Sequence, residues 1–550
     1  MNAAWVCLWG LGAFALGYRF YSPRVAAALQ LRADEPVPAR THEDGIDYVP
    51  TRRAVLFGHH YASIAGAAPI IGPAIAVLWG WLPAFVWIVV GSVFLGAVHD
   101  FAVLVLSMRH GGKSVGRISA QVLSPRARPL LLLVIFFLVT LVIAVFASAI
   151  ASLFISTPGS VLPVNFQIFV AVLIGWLCYR RKWRLLGPSV IALLALYGMM
   201  LLGERVPLSL APWVGAEHEH LVWVALLLVY SFVASVLPVW VLLQPRDYIN
   251  SHQLFVGLAG LIVGILVARP VITAPALATP PADAPSLLPF LFVTVACGAI
   301  SGFHGLVASG TTSKQLARAP DARPVGYGAM LGEGVVALVA TLAVSAGLAD
   351  WATHYHSYAA AAGGGVEAFV EGSATFLGAL GLPSGMSRVL VAVMVISFAA
   401  TSLDTGVRIQ RYILAELGEH YELPWLTRRY VAGFVAVAIP FALCVTGTEG
   451  ALWPLFGATN QILAGLSLVV VTVWLKQSGR AWLYTGFPMA FVLLVAGISL
   501  FGNLATYWAN GEYLLFGVGG LILVLEIWIV LEGYHAAFRT KTLPVGGVGS

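Results

Sequence analysis

Residues Phe57–Pro73 read FGHHYASIAGAAPIIGP, two histidines opening an apolar segment that Gly66, Pro69, Gly72 and Pro73 then interrupt. Hydrocarbon offers no hydrogen bonds, so broken backbone at membrane depth persists only where protein buries it or where it lines a wet cavity. Ionisable side chains at that depth are costly and mark a pathway or binding site. The segment therefore points to a solute pathway.

The membrane context follows from the rest of the chain, which is 59% hydrophobic and 10% charged, with a mean hydropathy of +0.90. Apolar runs near ~20 residues, the length that crosses ~30 Å of hydrocarbon, recur from end to end. They predict spans at 3–21, 54–79, 82–108, 129–154, 165–179, 187–202, 221–243, 253–268, 287–310, 326–348, 387–405, 430–447, 451–475, 482–501 and 513–534. The net charge of +6 and pI near 9.1 would suit nucleic acid, but charge placement excludes it. With the N-terminus outside, every one of the 30 basic residues except Arg205, Arg269 and Arg388 falls on the inner side. That bias is the positive-inside rule, and it puts the N-terminus outside and the C-terminus in the cytoplasm. Cys7, Cys178, Cys297 and Cys444 are scattered through apolar spans and read as packing residues rather than a disulfide framework. Arg19 and Arg24 follow the first apolar stretch, so it reads as a retained helix and not a signal peptide.

The chain divides into an extra N-terminal helix and inner loop at 1–53, a transport core at 54–405, and accessory C-terminal spans with a tail at 406–550. Within the core, 54–202 is the first repeat and 221–405 the second. The Pro-rich stretch 269–286 reads as an outer loop. The larger outer excursion 350–386 contains a short re-entrant or surface helix near 366–382, and 540–550 is expected to be disordered. With the first span set aside, 54–79 is core helix one. Core helix six, 221–243, continues as LPVWVLLQPRDY (Leu237–Tyr248) with Pro238 inside it. Five is odd, so the two interrupted helices enter from opposite sides, as in an inverted-repeat transporter whose site lies between discontinuous helices.

Adjacent helical residues sit ~100° apart, so His59 and His60 face different ways, one toward a cavity and the other into packing. GAVHDF (Gly96–Phe101) places His99 and Asp100 inside a span, where the acid must be paired, protonated or solvated. ACGAISGFHGLVASGTTSKQL (Ala296–Leu316) brings a fourth buried histidine, His304, among small residues that allow close helix packing. In SLDTGVRIQRYIL (Ser402–Leu414), Asp404 and Arg408 have the i,i+4 spacing of a salt bridge, with a gating pair as the sharper alternative. Glu333, Glu449 and Glu526 are further acids in or near spans. His59, His60, His99, Asp100 and His304 could together suit zinc or iron, though no HxxxH or HExxH spacing supports it. No nucleotide or hydrolase motif stands in a suitable context, so an ion gradient must drive any transport.

These motifs, together with YVPTRRAVLFGHHYASIAGAAPIIGP (Tyr48–Pro73), DARPVGYGAMLGE (Asp321–Glu333) and LWPLFGATNQILAG (Leu452–Gly465), resemble the carbon starvation protein A (CstA) family in order and content over about 48–465. The resemblance implies a bacterial inner-membrane nutrient transporter with an all-α, LeuT-like 5+5 inverted-repeat core and extra helices. It implies uptake of short peptides, or of pyruvate with protons, when carbon is scarce. Relatives often carry larger outer insertions, and often Gln where this chain has His99.

The expectation is a secondary transporter for a peptide or pyruvate, with the lipid bilayer as its surroundings, no nucleic acid, and an oligomeric state the sequence leaves open. His59, His60, Ser63, Gly66, Ala67, Ser235, Pro238 and His304 are the expected substrate-binding residues. His60, Asp100, Asp404 and Arg408 are those for proton coupling or gating. The proton is the expected coupling ion, and a buried metal is the alternative use of the histidines. The rival readings are a metal-dependent membrane enzyme and a sensor that binds nutrient without moving it.

Overall fold

The computed structural model describes residues 1–45, 47–181, 186–238, 241–446 and 449–538. The expected disordered tail 540–550 lies outside them. Among the described residues the structure is helical, with two isolated bridges and no extended strand. Thirteen helices among the described residues are long and apolar enough to cross a membrane; a pair bent by 50°, Arg53–Ile64 with Ala68–Trp79, adds another, and Arg429–Val445 is a shorter apolar helix. Together these match the fifteen spans expected.

In chain order the helices used below are α1 (Ala3–Leu16), α2 (Arg53–Ile64), α3 (Ala68–Ala76), α4 (Trp81–Gly91), α5 (Ala97–Arg109), α6 (Ala127–Ser156), α7 (Val161–Arg181), α8 (Leu186–Arg205), α9 (Ala216–Val236) and α10 (Leu243–Ala268). They continue as α11 (Leu287–Val295), α12 (Gly302–Gly310), α13 (Ala329–Ala346), α14 (Tyr358–Gly378), α15 (Ser384–His420), α16 (Arg429–Val445), α17 (Glu449–Gln477), α18 (Leu483–Ala509) and α19 (Tyr513–Ala537).

The first broken helix is α2–α3, as expected. A proline ring clashes with the carbonyl four residues before it. For Pro69 that residue is Ala65, where the helix stops with ψ at 60° before α3 resumes at Ala68.

The second broken helix is not 221–243. There α9 ends at Val236, Leu237 is extended, and α10 begins at Leu243 as a separate span, so exposed Pro238 sits in a connection between spans. The break falls instead between α11 and α12. Ala296 has a positive φ of 43°, and Ser301 is extended at φ −142° and ψ 130°. The sequence hid this break because no proline occurs between Pro289 and Pro320, and the small residues there read as packing. Six spans separate the two broken helices, so they stand seven apart, again an odd number. Their packing agrees, since α3 lies against α11 and α2 against α12, an antiparallel pair. This is the relationship that an inverted-repeat core requires.

Two glycines let backbones touch. A Cβ on Gly72 would lie 2.4 Å from the Thr294 carbonyl oxygen, and one on Gly96 would lie 2.3 Å from that of Ala299. α17, one of the C-terminal helices, packs on α12 and α6 and is buried throughout its apolar window.

The loops sort to two faces. Ala3 N donates to Pro270 O and Trp81 N to Pro275 O, which gathers the N-terminus, the turn at Gly80 and the 269–286 loop on one side. Thr51 N donates to Gln315 O and Arg109 pairs with Glu35 on the other. The helix expected near 366–382 starts earlier, at Tyr358, and takes Gly363–Gly365 into its body. Asp283 accepts from Tyr358 N and Ala359 N at its start, and those backbone donors hold the Asp283 carboxyl below the usual range. α14 packs on α3, α13 and α15.

Candidate functional site

Breaking a helix strands backbone groups that lipid cannot satisfy. In α2–α3 the Ser63 carbonyl loses its normal partner and accepts instead from Ser402 Oγ on α15 at 3.3 Å. Gly66 lies in the bend, where a Cβ would come 2.6 Å from Ser402 Oγ, and Ala67 caps the start of α3. In α11–α12 the Gly298 carbonyl accepts from Ser92 Oγ at 3.0 Å. Asn460 of α17 serves the far side of that break: its Oδ1 accepts from Phe303 N at 3.1 Å and from Ser301 Oγ at 3.2 Å. Both interruptions are thus held open by side chains from neighbouring helices.

Next to the second break lies a wholly buried group of ionisable side chains. Asp100 of α5 accepts at Oδ1 from His99 Nδ1 (2.7 Å) and at Oδ2 from His304 Nδ1 (2.9 Å). The other nitrogen of His304, Nε2, lies 2.9 Å from Glu333 Oε2 on α13, without the alignment of a hydrogen bond. His304 Nε2, both Glu333 oxygens and His99 Nε2 have no hydrogen-bond partner. Cys297 joins the group, its Sγ accepting from Asn460 Nδ2 at 3.3 Å and donating to Ser301 Oγ at 3.2 Å.

A second polar group joins α9, α10 and α15. Asp404 pairs with Arg246 of α10, and also accepts from Ser231 Oγ at 2.7 Å and Tyr230 OH at 3.0 Å. The Arg246 Nη1 donates to Tyr230 OH at 2.7 Å, and Nη2 lies 3.5 Å from Asp247 Oδ1. The expected Asp404–Arg408 bridge therefore does not form. Arg408 points one turn on and donates through Nη2 to the Ala234 and Leu237 carbonyls at 2.9 and 2.7 Å. These belong to the C-terminal end of α9, where unpaired carbonyls and the helix dipole favour a cation.

His59 and His60 do face different ways. His60 is fully buried, its Nδ1 2.8 Å from Thr312 Oγ1 just past α12, so it ties the two broken helices together. His59 is 22% exposed at its side chain, with Nδ1 3.3 Å from Asp247 Oδ2 on α10. The five expected metal ligands consequently do not converge on one point: His59 and His60 are engaged elsewhere, and His99 and His304 each spend Nδ1 on Asp100. Ser63 Oγ bonds back to the His59 carbonyl. Ser235 bonds within its own helix to Phe232 O, so neither it nor Pro238 lies at a helix break. A cavity of about 350 Å³ lined by Glu204, Glu367, Glu371 and Arg388 lies away from both breaks.

Cys297, Glu333, Asn460, Arg246 and Asp247 carry much of this chemistry. Arg246 and Asp247, adjacent charges after a Pro in LPVWVLLQPRDY, were the legible signal; Cys297 resembled any buried cysteine.

The carbon starvation protein CstA family model matches residues 2–357 and 347–499. A peptide transporter CstA of Mycobacterium tuberculosis is 34% identical over 90% of this chain and 74% of its own. A pyruvate/proton symporter, BtsT of Escherichia coli, is 31% identical over 92% of this chain and 82% of its own. A variant of the Eremococcus coleocola manganese transporter is similar at a TM-score of 0.49 and 12% identity, covering 90% of this chain and 99% of that one.

Proposed function

The chain belongs to the carbon starvation protein CstA family, and from that premise we propose that it is a secondary active transporter importing a short peptide or pyruvate with protons, in the inner membrane and with its N-terminus outside. The observation that carries this reading is the antiparallel pair of broken helices, each kept open by a partner side chain: Ser402 at the first, Ser92 and Asn460 at the second. The Ala65 and Gly66 amides donate to the Tyr61 and Ile64 carbonyls, and those of Ala299 and Ile300 to Ala296 O, so the Ala67 and Ser301 amides and the start of α3 would meet a carboxylate, the group that peptides and pyruvate share. The enzyme and sensor alternatives have no comparable support, since the named relatives are transporters.

Coupling is assigned to groups at joints that must move when one bundle rocks against another. His60 joins α2 to the end of α12 through Thr312, and His59 joins α2 to α10 through Asp247. Rocking of one bundle would make or break both imidazole contacts, which is why proton coupling is assigned there.

The test is uptake into proteoliposomes of labelled pyruvate and of labelled di- and tripeptides, with and without an inward proton gradient. Gradient-stimulated accumulation of one of them is expected. Uptake indifferent to the gradient removes the proton from the mechanism, and no uptake of either class removes the substrate assignment. His60→Ala should abolish stimulation by the gradient.

A further inference from the structure

Three ligand-type atoms meet at the second helix break. The Cys297 Sγ, a ring nitrogen of His304 and a carboxylate oxygen of Glu333 all lie within 4.8 Å of one another. None of the three residues is more than 4% exposed. His304 Nε2 and Glu333 Oε2 lie 2.9 Å apart without hydrogen-bond alignment, and Glu333 Oε1 is buried with no hydrogen-bond partner, a costly arrangement that a shared cation would relieve. Charge points the same way. Asp100 and Glu333 lie together, and among the described residues neither pairs with a lysine or arginine.

We propose that Cys297, His304 and Glu333 bind a divalent transition-metal cation, with zinc the best match. Thiolate, imidazole and carboxylate are the three ligand types that zinc takes, and they disfavour magnesium and calcium, which prefer oxygen alone. The surroundings are those of a metal site. Asp100 accepts from His304 Nδ1, which fixes the ring with Nε2 directed at the ion and raises its basicity, the usual carboxylate–histidine–metal relay. Asn460 Nδ2 donates to Cys297 Sγ, which stabilises a thiolate. On binding, the cysteine thiol releases its proton to solvent. Three protein ligands leave a tetrahedral ion one position for water or solute. The ion would join α11–α12 to α13 across the break. It also sets this cluster apart from the coupling histidines, so His99, His59 and His60 are not ligands.

The inference goes beyond transport and stands or falls separately from it. The full-length protein, purified in detergent without chelator, is measured for zinc by elemental analysis, then stripped and titrated with Co²⁺. The expected result is roughly one zinc per chain and a thiolate-to-cobalt charge-transfer band in the near ultraviolet. Cys297→Ser should remove that band, Glu333→Gln should weaken binding, and Asp100→Asn should weaken it about 10–100-fold. Zinc far below one per chain with no band in monodisperse wild-type protein overturns the proposal, as does a band that survives Cys297→Ser. Should the variants fail to fold, the wild-type stoichiometry and spectrum decide alone. Wild-type protein that binds neither zinc nor Co²⁺ yet transports would sink this site and leave the transporter reading intact; metal-loaded protein that moves neither substrate class would do the reverse.

Discussion

The two buried polar clusters handle charge in opposite ways. Around Asp404 the protein supplies its own counter-ion: Arg246 pairs with it, Ser231 and Tyr230 add hydrogen bonds, and Arg408 caps the neighbouring helix end. Around His304 two acids and a cysteine gather with histidines alone, and several of their atoms have no hydrogen-bond partner. The first cluster contains its own cation and fastens α9, α10 and α15, although Arg246 Nε and Nη2 and Asp247 Oδ1 also lack hydrogen-bond partners. The second has no lysine or arginine among the described residues and stands beside a helix break, where we place the metal cation. An arginine–carboxylate pair fastens spans without any added ion, whereas acids grouped with histidines and a cysteine suit a bound cation.

Substitutions can break that contrast. Asp404→Asn should be the most damaging, because it leaves Arg246 buried without its carboxylate, a change that costs about 3–5 kcal/mol. Thermal unfolding in detergent would show it, and replacing Arg246 and Asp404 together by Met and Leu should recover much of the loss. Little loss in the single variant would mean that Arg246 reaches Asp247 or water instead. Asn460→Ala should cost about 1–3 kcal/mol, since Phe303 N would be buried without an acceptor. Tyr230→Phe removes one of the donors on Asp404 and should cost about 0.5–1.5 kcal/mol. Glu333→Gln, measured in metal-free protein, should change stability by less than about 1 kcal/mol, because it relieves like charge rather than orphaning a cation. If Glu333→Gln destabilised as much as Asp404→Asn, the two clusters would be of one kind and the contrast would fail.

Composition and the positional bias of Lys and Arg made the membrane architecture readable from the chain, because span length and loop charge are local properties. The first break was readable for the same reason, since Pro69 acts on Ala65 within one turn. The second was not: Ala296–Ser301 unwinds only because Ser92 and Asn460, distant in sequence, satisfy what the unwinding exposes. Pro238 misled because a proline marks an interruption without saying whether a span bends or ends there. The Asp404–Arg408 spacing misled because Arg246, from another helix, competes successfully for the same carboxylate. Asp100 and His304 were recognised singly, but their meeting with Glu333 and Cys297 depends on how α5, α11–α12 and α13 pack.

The claim on which the rest depends is that a hydrophilic solute is held where the two antiparallel breaks face each other. A density map of the protein with bound pyruvate or dipeptide tests it most directly. Solute density between Ala65–Ala67 and Ala299–Ser301 is the predicted result. Solute bound elsewhere, with both breaks closed against protein, would contradict it.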